Sequence, residues 1–416
     1  MRGAAAMALL LLGCHGAAPP AGDDDADASA PDAAAPPDAG SSDLEPCPEP
    51  LKQDLFPEYQ VDIDAAEWAA MEEEFVDWQA RSDAGLDPHP YHHVVLRYQG
   101  VEVPNVLMRL KGNGSWHETV ANDPDPKMQF VLAFNEIDPE GRFYGMRKVD
   151  LDMPRLDLSF LRQRLALRAL RAMGIPAQCA NCARLVINGE YYGLYTNLER
   201  LDKEFLQRQF GDDDEGDLWK GGFQLETNED MEDRDRLQAF WTATTVDELV
   251  TLADIEASVR EWAAEAVVPQ GDGYYFARPN FFLYDHPTRG FVWLITDLDS
   301  SLDYRAYDTS PLTPVADPDP LLRQHWSMVL GDPGWLQRYV DDLDELLALY
   351  QPDELEDLVD QWSAQTEASA LADPHRAFSD AKYHAAVLGL RGYPERRAAY
   401  LREWIDCRRA GEPGCD

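Results

Sequence analysis

The chain has 416 residues, with 36 Lys and Arg against 77 Asp and Glu and a net charge of −41. So acidic a surface repels phosphate backbones and anionic bilayers at long range, which argues against nucleic acid as a partner and marks the acidity as a solubility feature. The length suits one large domain or two ordinary ones, and 45% hydrophobic residues suffice for a core.

The N-terminus, MRGAAAMALLLLGCHG, carries an Arg, a short apolar run, then small residues and a Cys. The run is too short to span a bilayer as a permanent helix. Leu11-Leu12-Gly13-Cys14 resembles a bacterial lipoprotein signal. That resemblance implies removal of residues 1–13, lipidation of Cys14, and an exported protein held at the outer membrane or cell surface through its lipid alone. His15 is not the Asp that often retains lipoproteins at the inner membrane. Residues 14–45 are mostly Ala, Pro, Asp, Gly and Ser and read as a disordered, self-repelling tether, with the folded domain occupying 46–416.

Five cysteines follow Cys14, and export makes disulfides the first expectation. Cys179-Ala-Asn-Cys182 reads as a local staple rather than a redox pair or half a zinc site, because no second pair with metal spacing follows. Cys407 and Cys415 either close the C-terminus, leaving Cys47 odd, or one of them pairs with Cys47 and clips the two ends of the domain together.

In chain order, Asp64 caps a predicted helix over Ala65 to Trp78, and HHVVLRYQGVEVPNVLMRL gives short strands around a Gly-containing turn. The next segment, Lys111-Gly112-Asn113-Gly114-Ser115-Trp116, is either a plain turn or a loop whose N–H groups wrap phosphates. Lys127 opens the strand KMQFVLAF. LDLSFLRQRLALRALRAMG is the clearest helix, capped by Asp157 or Ser159 and ended by Gly174, with its arginines outward or toward acidic neighbours. Asn188-Gly189 marks a hairpin whose second strand ends at Glu199. Asp212 to Asp214 lack EF-hand spacing and read as a solvated loop. Helices are expected over Val246 to Ala266, near Gly334 to Tyr350, Asp353 to Leu371 and Pro394 to Cys407.

The stretch from Gly271 to Tyr304 organises the rest. Its apolar runs NFFLYD and FVWLITD flank HPTRG, the pattern of an antiparallel hairpin. If the turn centres on Thr288 and Arg289, Asn280 and Asp297 lie directly opposite, with Cβ atoms roughly 5 Å apart on one face, where one metal ion could touch both. A buried hairpin accounts for the apolar residues but not for the amide and carboxylates crowding one end.

KGNGSW, PKMQFVLAF, LSFLRQRLALRALRAMG, VINGEYYGLYTNLERLDKEFL, LWKG, NFFLYD and WLITDLD, in that order over Val95 to Tyr304, resemble the spore coat protein H-like (CotH) kinase family. The resemblance implies an α+β, atypical protein-kinase-like bilobal fold with a small, mainly β N-lobe and a larger helical C-lobe. It implies ATP with Mg²⁺ or Mn²⁺, Ca²⁺ being the alternative ion, and a protein hydroxyl as acceptor, the chain's own included. By the same resemblance Gly112, Gly114 and Ser115 lie over the phosphates and Lys127 reaches them. Asp272 is the catalytic Asp, while Asn280 and Asp297 hold metal with Asp299 as accessory ligand. Glu199 is either the acid partner of the lysine or the hinge beside adenine. The departures are Gly271-Asp272-Gly273 eight residues before Asn280, Asp297-Leu298-Asp299 in place of Asp-Phe-Gly, and no Glu in the Ser159 to Met173 helix. Two other readings are a non-catalytic surface lipoprotein that binds metal for adhesion or assembly, and a glycosyltransferase using Asp297-Leu298-Asp299 as Asp-x-Asp.

Overall fold

Short strands, some alternating buried and exposed residues and some buried throughout, build a β-barrel in the first half of the chain. In β1 (Glu58–Ile63), Tyr59, Val61 and Ile63 are buried and the residues between them are not. There follow β2 (His92–Tyr98), β3 (Val101–Val103), β4 (Leu107–Leu110), β5 (Phe130–Ala133), β6 (Lys148–Asp152), β7 (Ala180–Ile187) and β8 (Glu190–Glu199). The sheet runs β1-β7-β8-β6-β5-β4-β2-β3, and β1 also pairs with β2, so seven strands close a ring and β3 hangs from β2. Only β1 and β7 run parallel among these pairs. Tyr59, Met108, Phe130, Leu132, Leu151 and Tyr195 share the core of the ring. Helix α1 (Ala65–Asp83), capped by the Asp64 carboxylate on Ala66 N–H at 2.8 Å, adds Met71 and Phe75 to it.

This computed structural model describes residues 47–112, 120–121, 126–153, 155–229, 234–312, 318–411 and 415. Residues 43–416 form one compact unit. Cys14 and the expected tether lie outside the described residues, and among those that are described no helix is long and apolar enough to cross a membrane.

Outside the ring, Ala180, Cys182, Leu194 and Leu198 of β7 and β8 pack on α2 (Arg162–Ala172) through Leu165, Ala166, Ala169 and Leu170. The helix starts later than expected, because the Asp157 carboxylate caps Arg162 N–H at 2.7 Å from a preceding loop. Its arginines do not all face outward. Arg164 is buried 3.8 Å from the Trp362 ring and donates to the Gln53 carbonyl at 2.5 Å and to Gln365 Oε1 at 3.2 Å.

A second sheet, ordered β10-β9-β11-β12, is formed by β9 (Asp217–Lys220), β10 (Gln224–Leu225), β11 (Phe281–His286) and β12 (Gly290–Ile295). Around it stand α3 (Lys203–Phe210), α4 (Asp235–Thr242), α5 (Val246–Leu249), α6 (Ile255–Val267), α7 (Pro320–Leu330), α8 (Pro333–Leu349), α9 (Pro352–Leu371), α10 (Asp380–Arg391) and α11 (Tyr393–Ala410). The class is α+β as expected, but the β half is a closed barrel. Closure rests on β1 meeting β7 more than a hundred residues later, which local alternation does not specify.

Two expectations are corrected here. Cys47 bonds Cys179, Cys407 bonds Cys415, and Cys182 is a buried thiol. Cys179 and Cys182 are an odd number of positions apart in extended chain and so face opposite sides, one joining the barrel core and the other the helical core. The β11–β12 register is also shifted by one residue. His286 pairs with Gly290 and Phe281 with Ile295, so Asn280 is not opposite Asp297 in the ladder. A turn on Thr288 and Arg289 would put Pro287, which has no N–H to donate, into the ladder. Instead the loop is the three residues Pro287 to Arg289, and Gly290, the first of β12, takes φ +78°, a left-handed position beside the Leu252 carbonyl where a Cβ would lie at 2.3 Å.

Barrel and helices are joined through Lys127. Its Nζ lies 2.6 Å from Asp373 Oδ2, 2.6 Å from the Leu194 carbonyl and 4.2 Å from the Tyr195 ring centre. Asp373, just beyond α9, also accepts Leu194 N–H at 2.8 Å. A side chain on Gly193 would meet Lys127 Nζ at 2.7 Å. Removing one partner of a buried ion pair strands the other charge. Asp373→Ala is therefore expected to cost about 3–5 kcal/mol, seen as a lowered urea midpoint with little change in slope.

Candidate functional site

The barrel contributes a row of charge. The registers of β4, β5 and β6 bring Leu110, Phe130 and Leu151 side by side inward, which puts Lys111, Gln129 and Asp152 in the next row on the opposite face. Asp150, two residues before Asp152, shares that face. Lys111 Nζ pairs with Asp152 and lies 3.1 Å from Asp150 Oδ2, while Arg200 approaches Asp150 Oδ1 at 3.4 Å. Burial pulls the Lys111 ammonium down, but Asp150, Asp152 and Asp297 outweigh it and hold the group above its ordinary range. The two carboxyls divide. Burial raises both, yet Lys111 and Arg200 hold Asp150 below the usual range, whereas Asp152 stays above it with Asp150 and Asp297 as further causes.

The hairpin contributes the other half. Asn280 Nδ2 donates to Asp272 Oδ2 at 3.0 Å and to Asp297 Oδ2 at 2.9 Å. A one-residue offset would normally send these side chains to opposite faces. They meet because Asp297 leaves β12 in the left-handed region (φ +58°, ψ 59°), a conformation Asp tolerates better than most residues. Gln270 holds that turn, its Nε2 donating to the carbonyls of Thr296 at 2.5 Å and Asp297 at 2.6 Å. Ser300 Oγ donates to Asp272 Oδ1 at 2.5 Å. A Cβ on Gly273 would lie 2.1 Å from Glu265 Oε1 and 2.4 Å from Gln270 Oε1, so a side chain there would displace both.

Asp297 is exposed yet crowded by neighbouring groups. Burial raises its carboxyl, Lys111 opposes, and Asp272 raises it further. Asp299 is pushed well above the carboxylate range by burial and then by Asp297, Asp272, Asp152 and Asp157. Lys220, exposed at the end of β9, acts electrostatically on Asp297 and on His89 and has no ion pair among the described residues. Cavities of about 290 and 270 Å³ are lined by other residues, including Phe56, Arg97 and Tyr98 in one and Tyr383, His384 and Arg391 in the other.

Asp272, Asn280 and Asp297 thus form one hydrogen-bonded group, with Asp299 in its field. Lys127 does not join them; it is buried with Asp373, and the ammonium acting most strongly on Asp297 is Lys111. Glu199 does not serve as the acid of that lysine either. Its carboxylate is bound by Arg208 at 2.5 and 2.9 Å and by Cys179 N–H at 2.9 Å. Gly112 takes φ +103°, and its carbonyl lies 3.0 Å from His89 Nε2. Gly114 and Ser115 lie outside the described residues. Lys111, Asp150, Asp152, Gln270 and Ser300 were not picked from the sequence. Two acids alternating with apolar residues in Lys148-Val149-Asp150-Leu151-Asp152 were the available signal for one charged strand face.

Among the described residues no three His, Cys, Asp or Glu side chains converge to hold a metal ion by themselves. Two carboxylate oxygens, Asp272 Oδ2 and Asp297 Oδ2, converge on the Asn280 amide nitrogen, and such oxygens suit a hard cation. The Asn280 amide places its positive N–H end between two carboxylates, where a cation would be favoured. Mg²⁺ usually takes one or two carboxylates and completes its shell with water and substrate phosphates, so such a pair fits it.

No curated protein matches the chain. A family profile described as CotH kinase protein matches residues 108–410, which include both the barrel row and the hairpin group. The chain belongs to the CotH kinase family.

Proposed function

We propose that the protein is a kinase that transfers the γ-phosphoryl group of ATP to a hydroxyl, with a protein serine, its own included, as acceptor and Mg²⁺ or Mn²⁺ as the ion. The observation that carries this reading is the Asn280 amide shared by Asp272 and Asp297. Phosphoryl transfer asks the protein mainly to hold the triphosphate in line and neutralise its charge. Asp297 and Asn280, its amide turned from the N–H contact to present oxygen, would hold the ion, with Asp299 as accessory ligand; when bound, the ion supplies charge neutralisation on the phosphates. Lys111, fixed by Asp150 and Asp152, and the exposed Lys220 take the phosphate-facing role first expected of Lys127. In this reading Gly112, and with it Gly114 and Ser115 outside the described residues, would contact the phosphates, and Glu199 would mark the strand end beside adenine. Asp272 already accepts a seryl O–H, from Ser300, and would orient an acceptor hydroxyl in the same way.

Export and a lipid anchor at Cys14 belong to the same proposal. Two disulfides support an oxidising compartment. ATP is scarce there, so transfer either precedes export or uses ATP released outside. Calcium-dependent adhesion is the weaker reading, because Ca²⁺ takes six to eight oxygens and among the described residues no three acids are placed to hold one ion.

Purified protein with labelled ATP and Mg²⁺ or Mn²⁺ is expected to phosphorylate itself or a Ser-rich acceptor, and Asp297→Ala to abolish this. A melting temperature that responds to calcium alone and not to nucleotide would refute the proposal, as would turnover of a nucleotide sugar instead of ATP. Lys220→Ala is expected to raise KM for ATP about tenfold, worth about 1.4 kcal/mol, with a smaller change in kcat.

A further inference from the structure

Behind the hairpin group lies a buried carboxyl that the proposed chemistry leaves unused. Glu265 of α6 is 3% exposed and Gln270 is fully buried. Glu265 Oε1 and Gln270 Oε1 both crowd the point where a Cβ of Gly273 would stand, and neither oxygen has a hydrogen-bond partner among the described residues. Two acceptors facing each other in a dry interior repel unless a proton lies between them. The other end of Gln270 is fully engaged, its Nε2 on the carbonyls of Thr296 and Asp297.

We propose that Glu265 is a positioning residue held as the neutral acid, its proton donated to Gln270 Oε1, so that Gln270 fixes the left-handed turn presenting Asp297 to Asn280. The inference rests on the kinase reading only for its consequence, that nucleotide and metal are bound by an ordered Asp297. It follows from the packing that the proton is retained at neutral pH. Burial, and after it the charge of Asp272, moves the Glu265 carboxyl from its ordinary 4.5 up to about 8, against the Tyr275 N–H and Arg323. The groups around it are Glu261 one turn back on α6, Asp272, Tyr274 and Tyr275 from the following segment, Arg323 from α7, Tyr339 from α8, and Arg397 from α11, which bonds the Ala266 carbonyl.

The sign follows from linkage. Below the ordinary carboxyl range folded and unfolded chains both carry the proton. From there to about pH 8 only the folded chain does, so stability falls as pH rises across that window. Above it the folded carboxyl ionises, the bridge to Gln270 is lost, and the turn loosens.

Hydrogen exchange of the full chain over Thr296 to Ser301, corrected for intrinsic rates, tests this at about pH 7 and about pH 9. Wild-type protein is expected to lose protection about tenfold or more at the higher pH. Glu265→Gln is expected to show no step, because its amide donates to Gln270 Oε1 at both pH values while its oxygen still accepts from Tyr275. Gln270→Leu is expected to be poorly protected at both. Identical pH profiles for wild type and Glu265→Gln would overturn the proposal. Should Glu265→Gln fail to fold, a wild-type-sized step retained in Gln270→Leu overturns it and the absence of a step upholds it. Binding of Mn²⁺ and ATP to the same samples is read separately: its absence in wild type at neutral pH refutes the kinase reading and leaves the exchange result standing on its own.

Discussion

One backbone conformation governs the site. Asp297 ends its strand in the left-handed region, and only that turn lets its carboxylate share the Asn280 amide with Asp272. An extended Asp297 would point away, since neighbouring positions in a strand alternate faces. The strain is small for an aspartate and is offset by two hydrogen bonds from a buried glutamine amide to the carbonyls on either side. Gly273 leaves space for that glutamine, and Glu265 stands against its far end.

The chain carries far more acid than base, and its interior meets that excess in two ways. Some buried carboxylates are matched by a cation: Asp150 between Lys111 and Arg200, Asp373 against Lys127, Glu199 against Arg208. Where burial and like charge outweigh the cations nearby, the carboxyl is raised, as at Asp299, Glu261 and Glu265, the last two despite Arg260 and Arg323. The candidate site lies where these regimes meet. Asp297 feels Lys111 on one side and Asp272 on the other, so an added cation would relieve repulsion while an added phosphate would find Lys111 and Lys220 at hand.

The barrel and the helical half are not independent supports for this arrangement. Asp150 and Asp152 come from the barrel and Asp272, Asn280 and Asp297 from the hairpin region, so any slip between the halves would separate Lys111 from Asp297. The Lys127–Asp373 pair, the burial of α2 against β7 and β8, and Arg164 between Gln53, Gln365 and Trp362 all resist such a slip. The Cys47–Cys179 bond fixes the segment before the barrel to the start of β7. Lys127 is thus a structural tie, and the acid it lacked in the α2 helix is supplied by Asp373 from the far end of the chain.

Much of the local structure was legible because it depends on neighbours in sequence. Asp64 as a cap, the Asn188-Gly189 turn, the α2 helix and the two apolar strands around HPTRG follow from side-chain periodicity and turn chemistry. The meeting of Asn280 and Asp297 at one end of that hairpin was legible too, although the register assumed for it was one residue off, while Asp272 was named only through the family resemblance. What sequence left open was whatever depends on distant partners. β1 closes the barrel by pairing with β7, Cys179 chooses Cys47 because strand alternation turns it away from Cys182, and Lys127 is taken by Asp373. A lysine before a strand reads the same whether it faces phosphate or an aspartate 246 residues away, because spacing records the chain's own period and not what packs against it.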